Sequence, residues 1–375
     1  MLITYWPAHG ADRLDEHHGS GFMKMSVLSI IGMLGILALA ASYFGVAAIQ
    51  RVAERCQLLD IPNERSSHTR PTPRGGGLAI VAVVLGGLWV YTALCPGISW
   101  LALVIFTLGA VSIACISGWD DLRSLPVWIR FTAHGLAAIL VILAFGYWHA
   151  VSWPGLGVFS LGLFGGVLLT FLWIVGLTNA YNFMDGIDGI AGGQALVAGL
   201  GWAILGWIGG QPFVSIMGLL IAAANLGFLG HNWPPARIFM GDVGSAFLGF
   251  SFAALTVLAA QSNPVFVLAG IALVWPFVFD AVLTFAGRLY RGEKIWTAHR
   301  SHLYQRLVIS GLSHSQVSGL YIGLAMLGLI WAIALVRGWQ GMAVAGTAVV
   351  VASALCLWAW TCHRERAILR QGAEA

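Results

Sequence analysis

Residues 156–178 read LGVFSLGLFGGVLLTFLWIVGLT, an apolar run without a charged side chain. A helix needs about 20 such residues to cross the hydrocarbon core of a bilayer. The run continues into the polar stretch Asn179-Ala-Tyr-Asn182-Phe-Met-Asp185-Gly-Ile-Asp188-Gly. This part of the chain therefore predicts a membrane-spanning helix that delivers acidic side chains to one membrane face.

The composition places the whole chain in the same class. Of its 375 residues, 59% are hydrophobic and only 9% are charged, whereas a soluble globular domain carries about 25% charged residues. This excludes an ordinary soluble enzyme and a disordered chain. We predict an all-α polytopic integral membrane protein with about eleven transmembrane helices, at residues 27–48, 78–94, 99–117, 127–147, 156–178, 190–209, 213–230, 243–260, 265–286, 318–335 and 341–360.

The basic residues orient these helices. Cytoplasmic loops of membrane proteins are rich in Lys and Arg, so we predict the N-terminus outside and the C-terminus in the cytoplasm. Of the 19 basic residues, only Arg13, Lys24 and Arg337 then fall on the outer side. The predicted organisation is a polar tail at 1–22, which an upstream start site would also explain, one multi-span membrane domain at 23–360 and a basic cytoplasmic tail at 361–375. The net charge of +4 is too small to indicate a nucleic-acid partner.

Acidic residues collect at the predicted cytoplasmic face. Asp120 and Asp121 end the third span, Asp185 and Asp188 follow the fifth, and Asp242 precedes the eighth. Carboxylates near hydrocarbon are costly unless they face a wet cavity or a cation. Mg²⁺ binds one or two carboxylates together with water and substrate phosphates. The pattern predicts a cation site, and the alternative is that single acids such as Asp242 cap helix ends.

Asp280 is a separate case, because it lies inside the ninth span. An ionisable residue within the membrane indicates a functional role by default. The alternative is a buried acid that pairs with a nearby arginine such as Arg288.

Two basic segments complete the predicted cytoplasmic face. Arg70 and Arg74 precede the run Gly75–Gly77, and His299-Arg300-Ser301-His302 lies in the last large cytoplasmic loop. Guanidinium groups and the backbone N–H groups of glycine turns bind phosphate, although the positive-inside rule alone also places arginines here. No cysteine accompanies the histidines, which disfavours a zinc site. Acids for Mg²⁺ and bases for phosphate together predict phosphoryl transfer at the membrane surface.

These segments resemble the polyprenyl-phosphate N-acetylhexosamine-1-phosphate transferase family, glycosyltransferase family 4. The likeness runs from about Asp60 to Arg306 and rests on four segments in the family's order: Asp120-Asp121, Asn182-x-x-Asp185-Gly-x-Asp188-Gly, Met240-Gly-Asp242-x-Gly-Ser245 and the loop 299–302. The resemblance implies a multi-pass enzyme of the bacterial cytoplasmic (inner) membrane that depends on Mg²⁺, with Mn²⁺ as the alternative metal. It implies transfer of a sugar-1-phosphate from a UDP-N-acetylhexosamine to undecaprenyl phosphate among the membrane lipids, with release of UMP.

The resemblance also implies roles for individual residues. The metal would be bound by Asp242 and Asp121, while the division of labour between Asp120 and Asp121 stays open. The catalytic set that the resemblance implies is Asp120, Asp121, Asp185, Asp188, His299 and His302. The substrate-binding set is Arg70, Arg74, Asn182, Asn232, Phe239 and Arg300.

Two branches of the family differ in the late histidine loop. Phospho-MurNAc-pentapeptide translocase, which serves peptidoglycan synthesis, carries consecutive histidines, whereas this chain has His299-Arg-Ser-His302. That difference and the segment 60–77 favour the branch that initiates O-antigen and similar surface polysaccharides of the lipopolysaccharide type, and the translocase remains the alternative. Family members can dimerise, so a homodimer is expected as one option. An ion-coupled transporter is the alternative from another class, disfavoured because the acids cluster at one face instead of the midplane.

Overall fold

The structure, a computed structural model, describes residues 27–62, 70–95, 99–293 and 299–374. Eleven helices in this part of the chain are long and apolar enough to cross a membrane, which confirms the predicted fold class and number of spans. A further short helix, α10, lies in the loop before the last two. The helices are α1 (Val27–Arg55), α2 (Gly77–Leu94), α3 (Trp100–Leu122), α4 (Val127–Phe145), α5 (Gly162–Phe183), α6 (Ile190–Ile208), α7 (Pro212–Asn232), α8 (Asp242–Ala260), α9 (Val265–Tyr290), α10 (Leu303–Ile309), α11 (His314–Val336) and α12 (Gln340–Glu374).

Two short hairpins of β-structure connect helices. Strands β1 (Leu59–Asp60) and β2 (Thr72–Pro73) pair antiparallel before α2, and β3 (Ala150–Trp153) pairs antiparallel with β4 (Gly157–Ser160) before α5. The second hairpin corrects the prediction that the fifth span begins at residue 156. Pro154 and Gly155, which has a φ of +78°, turn the chain there, so the helix begins only at Gly162.

Two helices that carry site residues extend further than predicted at their C-terminal ends. α3 continues to Leu122 and α5 continues to Phe183. Asp120 and Asp121 therefore lie on the last turn of α3, and Asn179 and Asn182 lie on the last turns of α5. The backbone of these residues is helical, which fixes the direction in which each side chain leaves its helix.

α8 is the central helix of the bundle. It packs against α2, α3, α5 and α9, and its residues from Val243 to Val257 are buried. Its sequence is apolar on every side, as expected for a helix that neighbours enclose all round. Gly249 permits close contact with α5, since a Cβ atom there would lie 2.6 Å from the Leu177 carbonyl oxygen. The N-terminus of α8, which begins at Asp242, is held firmly at one end of the bundle.

α10 lies in the last large loop, for which the sequence analysis predicted no helix. Its N-cap is His302, whose backbone N–H donates to Gln305 Oε1 at 3.3 Å. Leu303, Tyr304 and Leu307 are buried beneath the helix. Burial of these apolar and aromatic side chains explains why this short helix forms.

Candidate active site at the α3, α5 and α8 termini

The candidate site is built around the first turn of α8. The ends of α3 and α5 and the beginnings of α2 and α8 all lie at the same end of the bundle, because consecutive spans alternate in direction. The segment before α8 runs beside the segment before α2: Gly76 N–H donates to the Phe239 carbonyl at 3.0 Å, and Gly77 N–H donates to the Met240 carbonyl at 2.9 Å. Phe239 N–H in turn donates to the Pro73 carbonyl at 2.8 Å.

For two of its three glycines, these contacts correct the prediction that the run binds phosphate through its backbone. The N–H groups of Gly76 and Gly77 are already used in hydrogen bonds. A Cβ atom on Gly77 would lie 2.4 Å from the Cα of Gly244, so the glycine lets α2 and α8 approach each other. Gly76 and Gly77 therefore serve helix packing, and the side chains of Arg70 and Arg74 stay predicted to contact a phosphate.

Asp121 of α3 faces the N-terminus of α8. Its Oδ2 accepts a hydrogen bond from the backbone N–H of Val243 at 3.3 Å, so a carboxylate from another helix caps α8 where the helix dipole favours negative charge. Arg74 Nη1 lies 3.9 Å from the other oxygen, Oδ1. Gly241, the N-cap of α8, has a φ of +75°, and a Cβ atom there would lie 2.8 Å from Asp121 Oδ2.

Asp120 is held in a different environment from its neighbour. Its Oδ2 accepts from Arg130 Nη1 at 2.7 Å, and its Oδ1 accepts from Leu125 N–H at 2.6 Å. The same Arg130 nitrogen lies 3.9 Å from Asp242 Oδ2, so one guanidinium group contacts acids on two helices. Arg130 was not among the site residues predicted from the sequence. Its position as a lone charge at the start of an apolar span was the available signal.

Asn182 and Asp185 approach α8 from the end of α5. Asn182 Nδ2 donates to Ser245 Oγ at 3.1 Å. Burial raises the pKa of Asp185 to about 8, and the nearby carboxylates of Asp242 and Asp121 add to this effect. A raised carboxyl pKa in a cluster of like charges marks a place where a cation would be favourable.

Asp188 holds together two loops of the site. Its Oδ2 accepts from the N–H of Ala236 at 3.0 Å, and its Oδ1 lies 3.4 Å from His314 Nδ1 at the start of α11. Asn232 reinforces this connection: its Oδ1 accepts from Gly189 N–H at 2.9 Å, and its Nδ2 donates to the Ile238 carbonyl at 2.9 Å. These contacts give Asp188 and Asn232 a positioning role, and contact of either with substrate stays a prediction. His314 was missed, because an isolated histidine after a loop carries no sequence signal.

Asp280 has a partner other than the predicted one. Its side chain is fully buried and lies beside His302, with 3.1 Å between Oδ1 and His302 Nδ1. Arg288 instead pairs with Glu293, with 2.9 Å between Nε and Oε2. The predicted alternative of an Asp280–Arg288 pair is therefore wrong.

The remaining predicted residues differ in their exposure. Burial and the neighbouring His302 lower the pKa of His299 to about 4, so His299 is neutral at neutral pH. Arg300 and Phe239 are partly buried, whereas Arg70 is exposed. Arg65 and His68, from the same predicted basic segment, lie outside the described residues.

The carboxylates at this site are hard oxygen donors of the kind that Mg²⁺ and Mn²⁺ bind. Among the described residues, no three His, Cys, Asp or Glu side chains lie together as a metal site formed by protein alone. Mg²⁺ does not need such a site, since it takes one or two carboxylates and completes its shell with water and phosphate oxygens. The side chain of Asp242 is 36% exposed and that of Asp121 is 13% exposed. Two carboxylates from different helices, one of them open to solvent, fit a Mg²⁺ ion that is shared with a substrate.

Comparison with known proteins identifies the family of the chain. The family model for glycosyl transferase family 4 matches residues 103–260. The chain is 32% identical over 305 residues to a probable undecaprenyl-phosphate N-acetylglucosaminyl 1-phosphate transferase of Bacillus subtilis. The aligned region covers 80% of this chain and 81% of that protein. The chain is 29% identical over 322 residues to the decaprenyl-phosphate N-acetylglucosaminephosphotransferase of Mycobacterium tuberculosis. This alignment covers 76% of this chain and 78% of that protein.

The phospho-N-acetylmuramoyl-pentapeptide-transferases are a second kind of relative. The phospho-N-acetylmuramoyl-pentapeptide-transferase of Lactiplantibacillus plantarum is 34% identical over 210 residues, which is 52% of this chain and 63% of that protein. The family model covers α3 to α8, the segment that supplies Asp120, Asp121, Asp185 and Asp242. From its motifs, its fold and its similarity to these relatives, the chain belongs to glycosyl transferase family 4.

Proposed function

We propose that this protein transfers an N-acetylhexosamine-1-phosphate from a UDP-sugar to undecaprenyl phosphate and releases UMP. The product is the lipid-diphosphate-linked first sugar of a surface polysaccharide, for which O-antigen is our candidate. N-acetylglucosamine is the sugar to test first, because the names of the B. subtilis and M. tuberculosis relatives contain it.

One observation carries this proposal: carboxylates from three helix ends converge with two arginines at one end of the bundle. Asp185 lies close enough to Asp242 and Asp121 for their charges to raise its pKa, and the arginines reach the same acids. Phosphoryl transfer needs compensation for the charge of two phosphate groups, together with accurate positioning. An ion-coupled transporter would place such groups near the midplane, whereas these residues lie at helix ends.

The proposed reaction is a direct displacement. An oxygen of undecaprenyl phosphate forms a bond to the β-phosphorus of the UDP-sugar, and the bond from that phosphorus to the bridging oxygen breaks so that UMP leaves with the electron pair. The acceptor phosphate is already largely ionised near neutral pH, because its second pKa is about 6. The protein therefore has little proton transfer to perform, and its main tasks are positioning and charge compensation.

The described residues suit these tasks. Asp121 and Asp242 would hold Mg²⁺, which supplies charge neutralisation on the diphosphate when it is bound. Arg74 reaches towards the same point from the α2 side and would contact a phosphate oxygen. Asp120 is held by Arg130 and the Leu125 N–H, so we assign it to orienting Arg130 beside the acceptor phosphate.

The experiment is an assay of UMP release by the purified protein in detergent. It contains undecaprenyl phosphate, Mg²⁺ and a panel of donors that includes UDP-GlcNAc and UDP-MurNAc-pentapeptide. We expect release with an N-acetylhexosamine donor, abolition by EDTA, and a loss of at least about 100-fold in Asp242→Ala. Release with UDP-MurNAc-pentapeptide alone would replace the proposal by the translocase alternative.

A matched variant separates the role of Asp242 from the loss of any acid. Glu54 is an exposed acid near the end of α1, where it accepts a hydrogen bond from Gln50 at 2.8 Å. Glu54→Ala should retain full turnover and the same Mg²⁺ requirement. Full activity of Asp242→Ala at an unchanged Mg²⁺ requirement would remove Asp242 from the proposed metal site.

We also propose that this site faces the cytoplasm, in the inner membrane, with the N-terminus outside. The basis is the distribution of basic residues, which are concentrated at the end of the bundle that carries the site. Of two reporters fused after residue 375, the one that is active only in the cytoplasm should give a signal. Activity of a periplasm-specific reporter there would reverse the orientation. The homodimer stays a prediction, to be measured by light scattering of the purified protein.

A further inference from the structure

A buried carboxylate lies beside the proposed active site without belonging to it. Asp280 is on α9, its exposed fraction is 0%, and both of its oxygens are used. Oδ1 accepts from Thr284 Oγ1 at 3.2 Å and from Leu303 N–H at 2.9 Å. Oδ2 accepts from Tyr304 N–H at 3.1 Å and from Tyr321 Oη at 2.6 Å.

The fifth partner of this carboxylate is a histidine. His302 Nδ1 lies 3.1 Å from Asp280 Oδ1. Every other group around Asp280 donates a hydrogen bond to it, and an ionised carboxylate can only accept. This contact favours the tautomer with the proton on His302 Nδ1, so Nε2 is the ring nitrogen of this almost fully buried side chain that does not face Asp280. Nε2 makes no hydrogen bond within the described part of the chain.

The same contacts place His302 next to the carboxylate cluster. The His302 ring lies 6.4 Å from the ring of Phe183, the last residue of α5, and 5.0 Å from that of His299. Tyr304 Oη donates to the Phe183 carbonyl at 3.0 Å. Asp280 therefore fixes the start of α10, and α10 is joined to the end of α5, two residues before Asp185.

We propose that Asp280 is a positioning residue for the transfer reaction: it holds His302 with Nδ1 as the donor, so that Nε2 faces the phosphates of the substrate. This inference rests on the proposed function. A buried carboxylate that sets the tautomer and orientation of an imidazole is an effective way to prepare a histidine for catalysis. The transfer needs a group to meet the charge on the diphosphate, and an oriented histidine supplies one.

The test is a double-mutant cycle of Asp280→Asn and His302→Gln, measured by UMP release. If Asp280 acts through His302, each single variant lowers kcat by about 10- to 100-fold with a smaller change in KM. In the His302→Gln background, Asp280→Asn then costs less than about threefold, because the residue it positions is gone. Effects that simply multiply would overturn the inference.

A matched variant separates positioning from stability. Tyr321→Phe removes one hydrogen bond to Asp280 and keeps the ring that packs against Tyr304 of α10, so it should lower the melting temperature while it retains kcat. A fall in kcat in Tyr321→Phe as large as that in Asp280→Asn would reduce Asp280 to a structural role. Asp280→Glu keeps the carboxylate and should recover part of the kcat that Asp280→Asn loses.

A measurement without turnover keeps the inference apart from the proposed function. Protein with ¹⁵N-labelled histidine is examined by solid-state NMR in lipid, and the signal of His302 is the one that His302→Gln removes. We expect a protonated Nδ1 in the wild type and a changed signal in Asp280→Asn. An unprotonated Nδ1 would overturn the inference even for an active enzyme. If no donor yields UMP, both the proposed function and the catalytic part of the inference fail.

Discussion

Gly241 offers a sensitive test of the site, because a single methyl group there would disturb Asp121. The residue has a φ of +75° and a ψ of 165°, a conformation that is nearly restricted to glycine and costs other residues about 1–3 kcal/mol. The added Cβ of Gly241→Ala would lie 2.8 Å from Asp121 Oδ2, whereas ordinary contacts begin at 3.4 Å. The carboxylate must therefore move by at least about half an ångström, away from the Val243 N–H that it caps.

A displacement of this size should be visible in catalysis. A misplacement of about 1 Å can reduce a rate about 100-fold, so we expect Gly241→Ala to lower kcat/KM for UMP release by about 10- to 100-fold. The apparent affinity for Mg²⁺ should also fall, since Asp121 is one of its two proposed ligands. The melting temperature in detergent should drop by an amount that corresponds to about 1–3 kcal/mol.

Gly118, one turn earlier on α3, provides the control. A Cβ atom there would lie 3.8 Å from Val243 Cγ2, which is an ordinary contact. Gly118→Ala should be neutral or should stabilise the helix by about 0.4–1 kcal/mol, with unchanged turnover. Wild-type turnover and Mg²⁺ affinity in Gly241→Ala would refute the view that Asp121 at the α8 N-terminus takes part in the reaction.

Three further predictions concern the neighbouring residues. The pKa of Asp185 is raised from 3.8 to about 8, so between these pH values the native chain holds a proton that the unfolded chain has lost. The melting temperature in EDTA should therefore fall as the pH rises through this range. An equal dependence of the melting temperature on pH in Asp185→Asn would contradict this. Asp120→Asn should lower turnover at least about tenfold, because it weakens the contact that orients Arg130, and near wild-type rates would exclude that role. Gly186→Ala would bring a Cβ within 2.1 Å of Tyr304 Oη, so it should destabilise the protein by about 1–3 kcal/mol. If this clash is the cause, adding Tyr304→Phe to the same chain should recover part of the lost stability.

Much of the transmembrane architecture could be predicted, because it follows from local chemistry. All eleven spans were found, since a bilayer demands a continuous apolar stretch of fixed length, but α1 and α12 continue to Arg55 and Glu374, well past their predicted ends at 48 and 360. Another miss was the start of α5: the run from residue 156 is uncharged, but Pro154 and the glycines around it form a hairpin. Hydropathy cannot separate an apolar β-hairpin from the first turn of a helix, because both consist of the same residues.

The sequence predicted which acidic residues form the site, but it did not predict which groups they contact. Asp120 and Asp121 were treated as a pair, yet one is bound by Arg130 and the other caps α8. Adjacent helical residues point about 100° apart, so their neighbours come from different helices. Arg130 carried only the signal of a lone charge and His314 carried none, because the partners of both are set by how the spans pack.

The sequence by itself determined that this chain crosses the membrane and gathers its acids at one face, because hydrophobic length and charge placement act on each segment separately. Only the tertiary structure decided which groups meet. Gly77, in the glycine run before α2, packs against α8 with its N–H already bonded to the Met240 carbonyl, and Asp280 holds His302 instead of Arg288. These outcomes depend on contacts between residues far apart in the chain, and such contacts exist only once the helices have packed.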